Sequence, residues 1–274
     1  MPHQMDPLSD RRWFEMRWSG RLRNLGFTME QIVRCWSTDD ARVLVPGSIR
    51  GEPVQFVFAT NTGWECYLYQ SYVERRGLPV FRTADDRARA VVGELSVFGL
   101  TREVQAAPIS DGWPGWEPPL AGRVGSYLLS DSVVAVDASV PAIAVAPAGQ
   151  RPSLAGALCR LPFIPKAWKG RSFTNAVRDA VFAIDYEWPS SVTKAYLATQ
   201  RVKPGRNGKA EVELCLPGDI TVTQQVQVVD TASAAPLADT GITRCDGTLG
   251  SDLWCRWITV FDFSAGELLL FPYD

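Results

Sequence analysis

The chain has 274 residues, of which 46% are hydrophobic, and this is enough for one large or two ordinary folded domains. Its 28 basic and 30 acidic side chains leave a net charge of −2, which gives no electrostatic reason to expect a nucleic-acid partner. No apolar run approaches the roughly 18 residues that cross a bilayer, and the first residues lack the apolar core of a secretory signal. We therefore expect a cytoplasmic protein without a membrane partner.

The cysteine and histidine content removes several kinds of chemistry. The six cysteines are scattered without a CxxC pair, a pattern that indicates buried thiols rather than a disulfide framework or a metal site. The only histidine is His3, so mechanisms that need an imidazole base are excluded. We expect neither a metal nor another cofactor.

Residues 1–42 differ from the rest of the chain because their apolar residues follow a helical period. Ser9 and Asp10 are suited to cap a first helix. Thr28 and Gln31 form a capping box, which predicts a second short helix with its apolar positions at Ile32, Val33 and Trp36. The first helix carries five arginines against one acid. This excess favours either a docking surface for an acidic partner or a solvated face packed on the first lobe.

From residue 43 onward strand signals dominate, so the fold class is predicted to be mainly β. The stretch ELSVFGLTREVQ predicts a hairpin that turns at Gly99. The stretch DGWPGWEPP is typical of a loop, and it carries Trp113 and Trp116. The stretch PAGQRPS, at 147–153, is typical of a linker between domains.

A second copy of one stretch lies 125 residues further along the chain. Residues 122–147, GRVGSYLLSDSVVAVDASVPAIAVAP, align without a gap to residues 247–272, GTLGSDLWCRWITVFDFSAGELLLFP. A repeat with so long a period indicates two similar lobes, each containing this β-hairpin. Seven positions are identical: Gly122/Gly247, Gly125/Gly250, Ser126/Ser251, Leu128/Leu253, Asp137/Asp262, Ser139/Ser264 and Pro147/Pro272.

The apolar strands that precede these hairpins also match. AVFAID, which ends at Asp185, is similar to FVFATN, which ends at Asn61. Asn61 stands 125 − 61 = 64 positions before Gly125, and Asp185 stands 250 − 185 = 65 positions before Gly250. The match predicts one lobe at 43–149 and a second at 150–274, behind the helical extension at 1–42.

The quoted segments resemble retropepsin-like aspartic proteases. Residues 51–79 resemble the catalytic strand, turn and following helix of that family, and residues 245–272 resemble its C-terminal hairpin. The tandem lobes are similar to the pepsin-like arrangement. The resemblance implies two tandem retropepsin-like (acid protease) β-barrel lobes, each donating one Asp from a D-[TS]-G turn. Paired carboxylates share a proton, so that one activates water while the other protonates the scissile carbonyl.

Both turns depart from the motif of that family. Lobe one has Asn61-Thr62-Gly63, and an amide at the Asp position neither ionises nor accepts a proton from water. Lobe two has Asp185-Tyr186-Glu187, in which an aromatic ring replaces a small hydroxyl residue and is expected to intrude between the two turns. Glu187 replaces the turn glycine. The resemblance thus implies catalytic positions at Asp185, Asn61, Thr62 and Gly63, with Asn61 as a degenerate Asp.

A literal copy of the motif occurs elsewhere. Asp239-Thr240-Gly241 spells it, but Asp239 stands only 250 − 239 = 11 positions before Gly250 and follows no apolar strand. These three residues are typical of a loop turn.

Three functions remain open. The first is a catalytically degenerate pseudoprotease that binds a peptide or protein segment in an interlobe cleft. The second is an active aspartic endopeptidase, in which Asp185 works with Glu187 or Asp239, or in which Asn61 is an engineered replacement of Asp. The third is a structural component of a larger assembly that docks through residues 1–42. The contacts expected for a bound peptide come from a flap at Gly99 and from Trp113, Trp116, Tyr186 and Glu187.

Overall fold

The structure is a computed structural model that describes residues 19–38, 42–62, 64–84, 86–110, 120–165, 172–177, 180–231 and 242–273. These residues are mainly β, and they fold as two pepsin-like lobes, as predicted. The first half contains strands β1 (Ile32–Arg34), β2 (Trp36–Ser37), β3 (Val43–Ile49), β4 (Glu52–Ala59), β5 (Cys66–Tyr69), β6 (Val80–Arg82), β7 (Ala88–Val97), β8 (Leu100–Ile109), β9 (Leu120–Gly125), β10 (Ser132–Asp137) and β11 (Ala142–Pro147).

The second half repeats this order with shorter strands. They are β12 (Cys159–Pro162), β13 (Ser172–Val177), β14 (Ala180–Ile184), β15 (Ser191–Thr193), β16 (Lys209–Leu216), β17 (Ile220–Val229), β18 (Gly247–Leu249), β19 (Ile258–Asp262) and β20 (Glu267–Phe271). The described helices are short: α1 (Gly20–Asn24), α2 (Gln70–Arg75), α3 (Lys194–Gln200) and α4 (Ser251–Trp254), with 3-10 turns at Met29–Gln31 and Ala148–Gln150. Within the described ranges, none is long and apolar enough to cross a membrane.

Three sheets organise these strands. Lobe one is an eight-stranded sheet in the order β2-β3-β4-β9-β5-β8-β7-β6, and it closes on itself because β3 also pairs with β7. Lobe two is a six-stranded sheet in the order β13-β14-β18-β15-β17-β16. The third sheet, β1-β11-β10-β19-β20-β12, takes strands from both halves and joins the lobes.

The 125-residue repeat is visible at the centre of this shared sheet. The two copies of the hairpin, β10–β11 and β19–β20, pair with each other through antiparallel β10 and β19. Ala135 pairs with Val260, and since 260 − 135 = 125, this pair lies on the pseudo-twofold axis of the repeat. Strand β10 is buried at every position, in keeping with its apolar, β-branched sequence.

The identical Asp and Ser of the repeat close its two hairpins in the same way. Asp137 and Asp262 are fully buried, and each accepts a 2.7 Å hydrogen bond from the hydroxyl of the serine two residues later. Each aspartate is also paired with an arginine from outside its hairpin, Arg21 for Asp137 and Arg151 for Asp262. The identities of the repeat therefore reflect hairpin closure, because a buried carboxylate requires hydrogen bonds and a counter-charge.

The described part of the N-terminal extension packs on the shared sheet. Leu22 of α1 is fully buried among residues of β10, β11 and β19. The Thr28 amide donates to the Gln31 side chain at 2.9 Å, so the predicted capping box is confirmed. The second predicted helix is wrong beyond this turn, because residues 32–34 form β1, an edge strand on β11. The β-branched side chains of Ile32 and Val33 suit that sheet.

Strands β9 and β18 hold the same central place in the two lobes. Strand β9 runs parallel to β4 on one side and antiparallel to β5 on the other. Strand β18 lies in the same manner between β14 and β15. Glycine is required at the end of β9 and directly after β18, because a Cβ at Gly125 would overlap the carbonyl oxygen of Ala59, and one at Gly250 would overlap that of Trp188. This packing fixes the segments that follow β4 and β14.

Candidate functional site

The turns that follow β4 and β14 meet between the lobes. The Asn61 amide donates a hydrogen bond of 2.5 Å from Nδ2 to Oδ2 of Asp185. The other carboxylate oxygen of Asp185 accepts from the Glu187 backbone N–H at 2.8 Å. Asp185 is only 4% exposed. The structure therefore brings the two predicted positions together, and an amide of one lobe holds the carboxylate of the other.

Thr60 makes a second contact between the same two turns. Its hydroxyl oxygen Oγ1 donates to the Ile184 carbonyl at 3.3 Å and accepts from the Tyr186 N–H at 2.9 Å. Thr60 is fully buried, so both backbone groups depend on it rather than on water. A threonine of lobe one thus fixes the backbone on either side of Asp185.

The strand register identifies the true counterpart of Asp185. Phe56 pairs with Gly122 and Phe182 pairs with Gly247, and these two glycines are equivalent in the repeat because 247 − 122 = 125. Three residues further along each strand, Ala59 is therefore equivalent to Asp185. Two more residues along, Asn61 is equivalent to Glu187. The sequence-based match of Asn61 with Asp185 is shifted by two residues and is corrected here.

This register leaves the site with a single carboxylate at the paired position. Ala59 is fully buried and carries a methyl group where the second acid would stand. Asn61 contacts Asp185 from a position two residues after Ala59. Its amide cannot share an ionisable proton with the Asp185 carboxylate. Among the described residues, the position paired with Asp185 therefore carries no second carboxylate, which two-carboxylate chemistry requires.

Glu187 is engaged elsewhere. It is fully buried, and its Oε1 lies 2.9 Å from Nε of Arg123, on β9 of the opposite lobe, without the alignment of a hydrogen bond. Burial raises the pKa of Glu187 to about 7, the Arg123 guanidinium opposes this rise, and the charge of Asp185 adds to it. A carboxyl group paired with Arg123 is a poor candidate for a second acid acting with Asp185.

An exposed tryptophan covers this charged cluster. The Trp188 ring is 40% exposed, and two guanidinium groups lie against it: Arg42 at 4.6 Å and Arg123 at 5.8 Å from the ring centroid. Sequence reasoning missed Ala59, both arginines and Trp188. The sequence did offer one sign of Arg123. In the alignment of the two repeat copies, Arg123 is a charged residue aligned with the uncharged Thr248, 125 positions later.

Tyr186 and Glu187 are not on an accessible surface, contrary to the expectation for peptide contacts. The Tyr186 ring is fully buried and packs against Phe58 at 5.8 Å and Phe261 at 6.0 Å. It does not intrude between the turns, since successive side chains of an extended segment point in opposite directions. Asp185 thus faces Asn61 while Tyr186 enters the core.

The other predicted residues have separate places. Thr62 is buried, and its Oγ1 accepts from the Tyr127 backbone N–H at 3.3 Å. Gly99 forms a two-residue turn with Phe98 between β7 and β8, and both have positive φ. The Phe98 ring packs on Phe58 at 6.1 Å, inside the core. Gly63, Trp113, Trp116 and the Asp239-Thr240-Gly241 loop lie outside the described residues.

The Thr60 bridge gives a test of how strongly the two turns are held. Thr60→Val keeps the shape but leaves the Ile184 carbonyl and the Tyr186 N–H without a partner in a buried place. We expect a loss of about 2 kcal/mol in unfolding free energy, measured by urea denaturation. Thr60→Ser keeps the hydroxyl and is the control. Equal stability of the two variants would show that the bridge contributes nothing.

These features define a two-lobe, pepsin-like fold. The structure is similar to the crystal structure of an aspartic proteinase from Irpex lacteus, with a TM-score of 0.50, 10% sequence identity, and coverage of 88% of this chain and 97% of that chain. Conglutin gamma, a basic 7S globulin from lupine seeds, aligns with a TM-score of 0.47 at 11% identity, over 89% of this chain and 95% of that chain. No family model and no curated protein sequence matches the chain. At these identities the likeness concerns the fold alone.

Proposed function

We propose that this chain is an aspartic-protease-like protein without peptidase activity, which binds a peptide or protein segment between its lobes. The observation that carries the first half of this proposal is Ala59, a buried methyl group at the register equivalent of Asp185. Proteolysis by this fold needs two carboxylates that share a proton, and the second is replaced. An Asp at position 61 would not restore the carboxylate pair, because the register places the counterpart of Asp185 at position 59. An engineered Asn61 therefore does not account for the site.

Two exposed aromatic side chains support binding. Trp188 follows Asp185 by three residues and is 40% exposed, and Tyr127 is 39% exposed and joined through its backbone to Thr62. One therefore lies on each lobe beside the Asn61–Asp185 contact. Half-exposed aromatic rings near a central cleft are favoured anchors for a protein ligand.

The edge of lobe one supports an extended ligand. Strand β6 ends the eight-stranded sheet, and its residues Val80 and Phe81 are exposed. An edge strand offers unpaired backbone groups to a peptide that adds one more strand.

Incubation with a peptide library between pH 4 and 7 tests the absence of catalysis. We expect no cleavage by the wild-type protein or by Asp185→Ala. Cleavage by the wild type that is lost in Asp185→Ala would overturn this half of the proposal and establish the active endopeptidase.

Selection of peptides from a random display library tests binding. We expect enriched sequences that bind the wild-type protein and bind Trp188→Ala at least about tenfold more weakly, as for a buried aromatic anchor. The control is Leu158→Ala, which removes another exposed apolar side chain, 48% exposed and remote in sequence from the turns. Failure to enrich any binder, or equal binding by the wild type and Trp188→Ala, would count against a ligand at this site.

A further inference from the structure

A groove of about 490 Å³ opens on lobe one beside the candidate site. Its walls include Trp64, Tyr127, Glu65 and Glu103, and residues of β7 and β8 form the rest. The groove adjoins the turn after β4, since the Tyr127 N–H donates to Thr62, the residue that follows Asn61. A segment bound against Asn61 and Asp185 would therefore pass its mouth.

The aromatic wall is suited to a cation. The Trp64 and Tyr127 rings lie 6.4 Å apart with 38° between their planes. The buried Arg89 places its guanidinium carbon 3.8 Å from the Trp64 ring centroid, so this indole already accepts one positive charge. Tyr127 is 39% exposed and offers its ring to a ligand.

The charged residues that line the groove are acidic. Glu65 and Glu103 are both acidic, and no lysine or arginine is among the described residues that line it. Two arginines lie behind its walls: the buried Arg89 is stacked on Trp64, and Arg50 donates to the backbone carbonyls of Val91 and Val92 at 3.0 and 2.8 Å. Two carboxylates beside aromatic rings attract a cationic group and repel an anionic one.

From these contacts we propose that the groove binds a lysine or arginine side chain of the peptide held between the lobes. The inference rests on the proposed function and specifies the chemistry of its ligand. The cationic head lies between the carboxylates of Glu65 and Glu103, and the aliphatic stem lies along the aromatic rings. The ligand is thereby restricted to segments with a basic residue next to the part that contacts Asn61 and Asp185.

The test compares three proteins in the same random-library selection. They are the wild type, the double variant Glu65→Gln/Glu103→Gln, and the control Glu211→Gln/Glu213→Gln, whose exposed glutamates lie on β16 of lobe two. The control makes the same change in net charge away from the groove. Circular dichroism verifies that all three are folded. We expect a basic residue at one fixed position of the peptides selected by the wild type and by the control.

The measured affinity of such a peptide should fall on the order of tenfold in Glu65→Gln/Glu103→Gln, and replacing its basic residue by norleucine should cause a similar loss. Selected peptides without a basic residue at a fixed position, or basic peptides that bind the double variant as tightly as the wild type, would overturn this inference. The proposed function would still stand. A selection that yields no binder for any of the three proteins would overturn both.

Discussion

Replacing Gly125 by alanine is expected to leave lobe one largely unfolded. The added Cβ would overlap the Ala59 carbonyl oxygen, and β9 cannot move aside because β4 and β5 flank it on both edges. Such a backbone clash costs more than an ordinary core substitution, so we expect a loss of at least about 4 kcal/mol in unfolding free energy, a large part of the roughly 5–15 kcal/mol of a typical domain. Urea denaturation followed by circular dichroism measures the loss.

Two further glycines make this prediction specific. Gly250→Ala should also be damaging in lobe two, because its Cβ would overlap the Trp188 carbonyl oxygen. Gly149→Ala is the matched control, since its Cβ would meet nothing within 4 Å and the residue is exposed. We expect it to change stability by less than about 1 kcal/mol. A Gly125→Ala protein as stable as Gly149→Ala would contradict the central place of β9.

The same glycines explain why the sequence correctly predicted the two-lobe fold from the repeated hairpins at 122–147 and 247–272. Gly122, Gly125, Gly247 and Gly250 recur at an offset of 125 because each faces a backbone carbonyl oxygen of a neighbouring strand or turn. The buried aspartates that close the hairpins recur for an equally local reason. A constraint that acts on one residue through its immediate contacts selects the same residue type in both copies. The repeat can therefore be detected in a single sequence.

Strands β4 and β14 carry no such repeated glycine or aspartate, and here the sequence-based match was wrong. Asn61 precedes Gly125 by 64 positions and Ala59 precedes it by 125 − 59 = 66, whereas Asp185 precedes Gly250 by 65. Spacing therefore favours neither residue. Side chains of a strand alternate with a period of two, so a shift of two residues also preserves the pattern of buried positions. Only the pairing of β4 with β9 and of β14 with β18 shows that Ala59, and not Asn61, is the counterpart of Asp185.

The correct register changes the interpretation of the site. Asn61 binds Asp185, Thr60 binds the backbone on both sides of Asp185, and Arg123 faces Glu187. Each of these contacts joins the turn or strand of one lobe to the turn of the other. These residues thus hold the two lobes together, and a ligand between the lobes would meet a preorganised surface.

Glu187→Gln is expected to remove a pH dependence of stability that the wild-type protein shows between about pH 4.5 and 8. Burial raises the pKa of Glu187 from 4.5 to about 7 in the folded state. Between these values the folded protein retains a proton that the unfolded chain has lost. The stability associated with Glu187 is therefore fully present below pH 4.5 and declines as the pH rises through 7. A rise of this size corresponds to about 3 kcal/mol of unfolding free energy.

The quantity to measure is the difference in unfolding free energy between the wild type and Glu187→Gln, from urea denaturation at pH 4.5, 6, 7 and 8. Relative to Glu187→Gln, the wild type should lose about 3 kcal/mol of unfolding free energy from the lowest to the highest pH. The same comparison with Glu211→Gln, which changes an exposed glutamate, should show no such loss. In Arg123→Met the guanidinium that lowers the pKa of Glu187 is absent, so the decline should begin at the same pH and continue to a higher one. A difference that is constant from pH 4.5 to 8 would mean that Arg123 keeps Glu187 ionised throughout. The contact between the lobes would then be a permanent ion pair rather than one that weakens by protonation in acid.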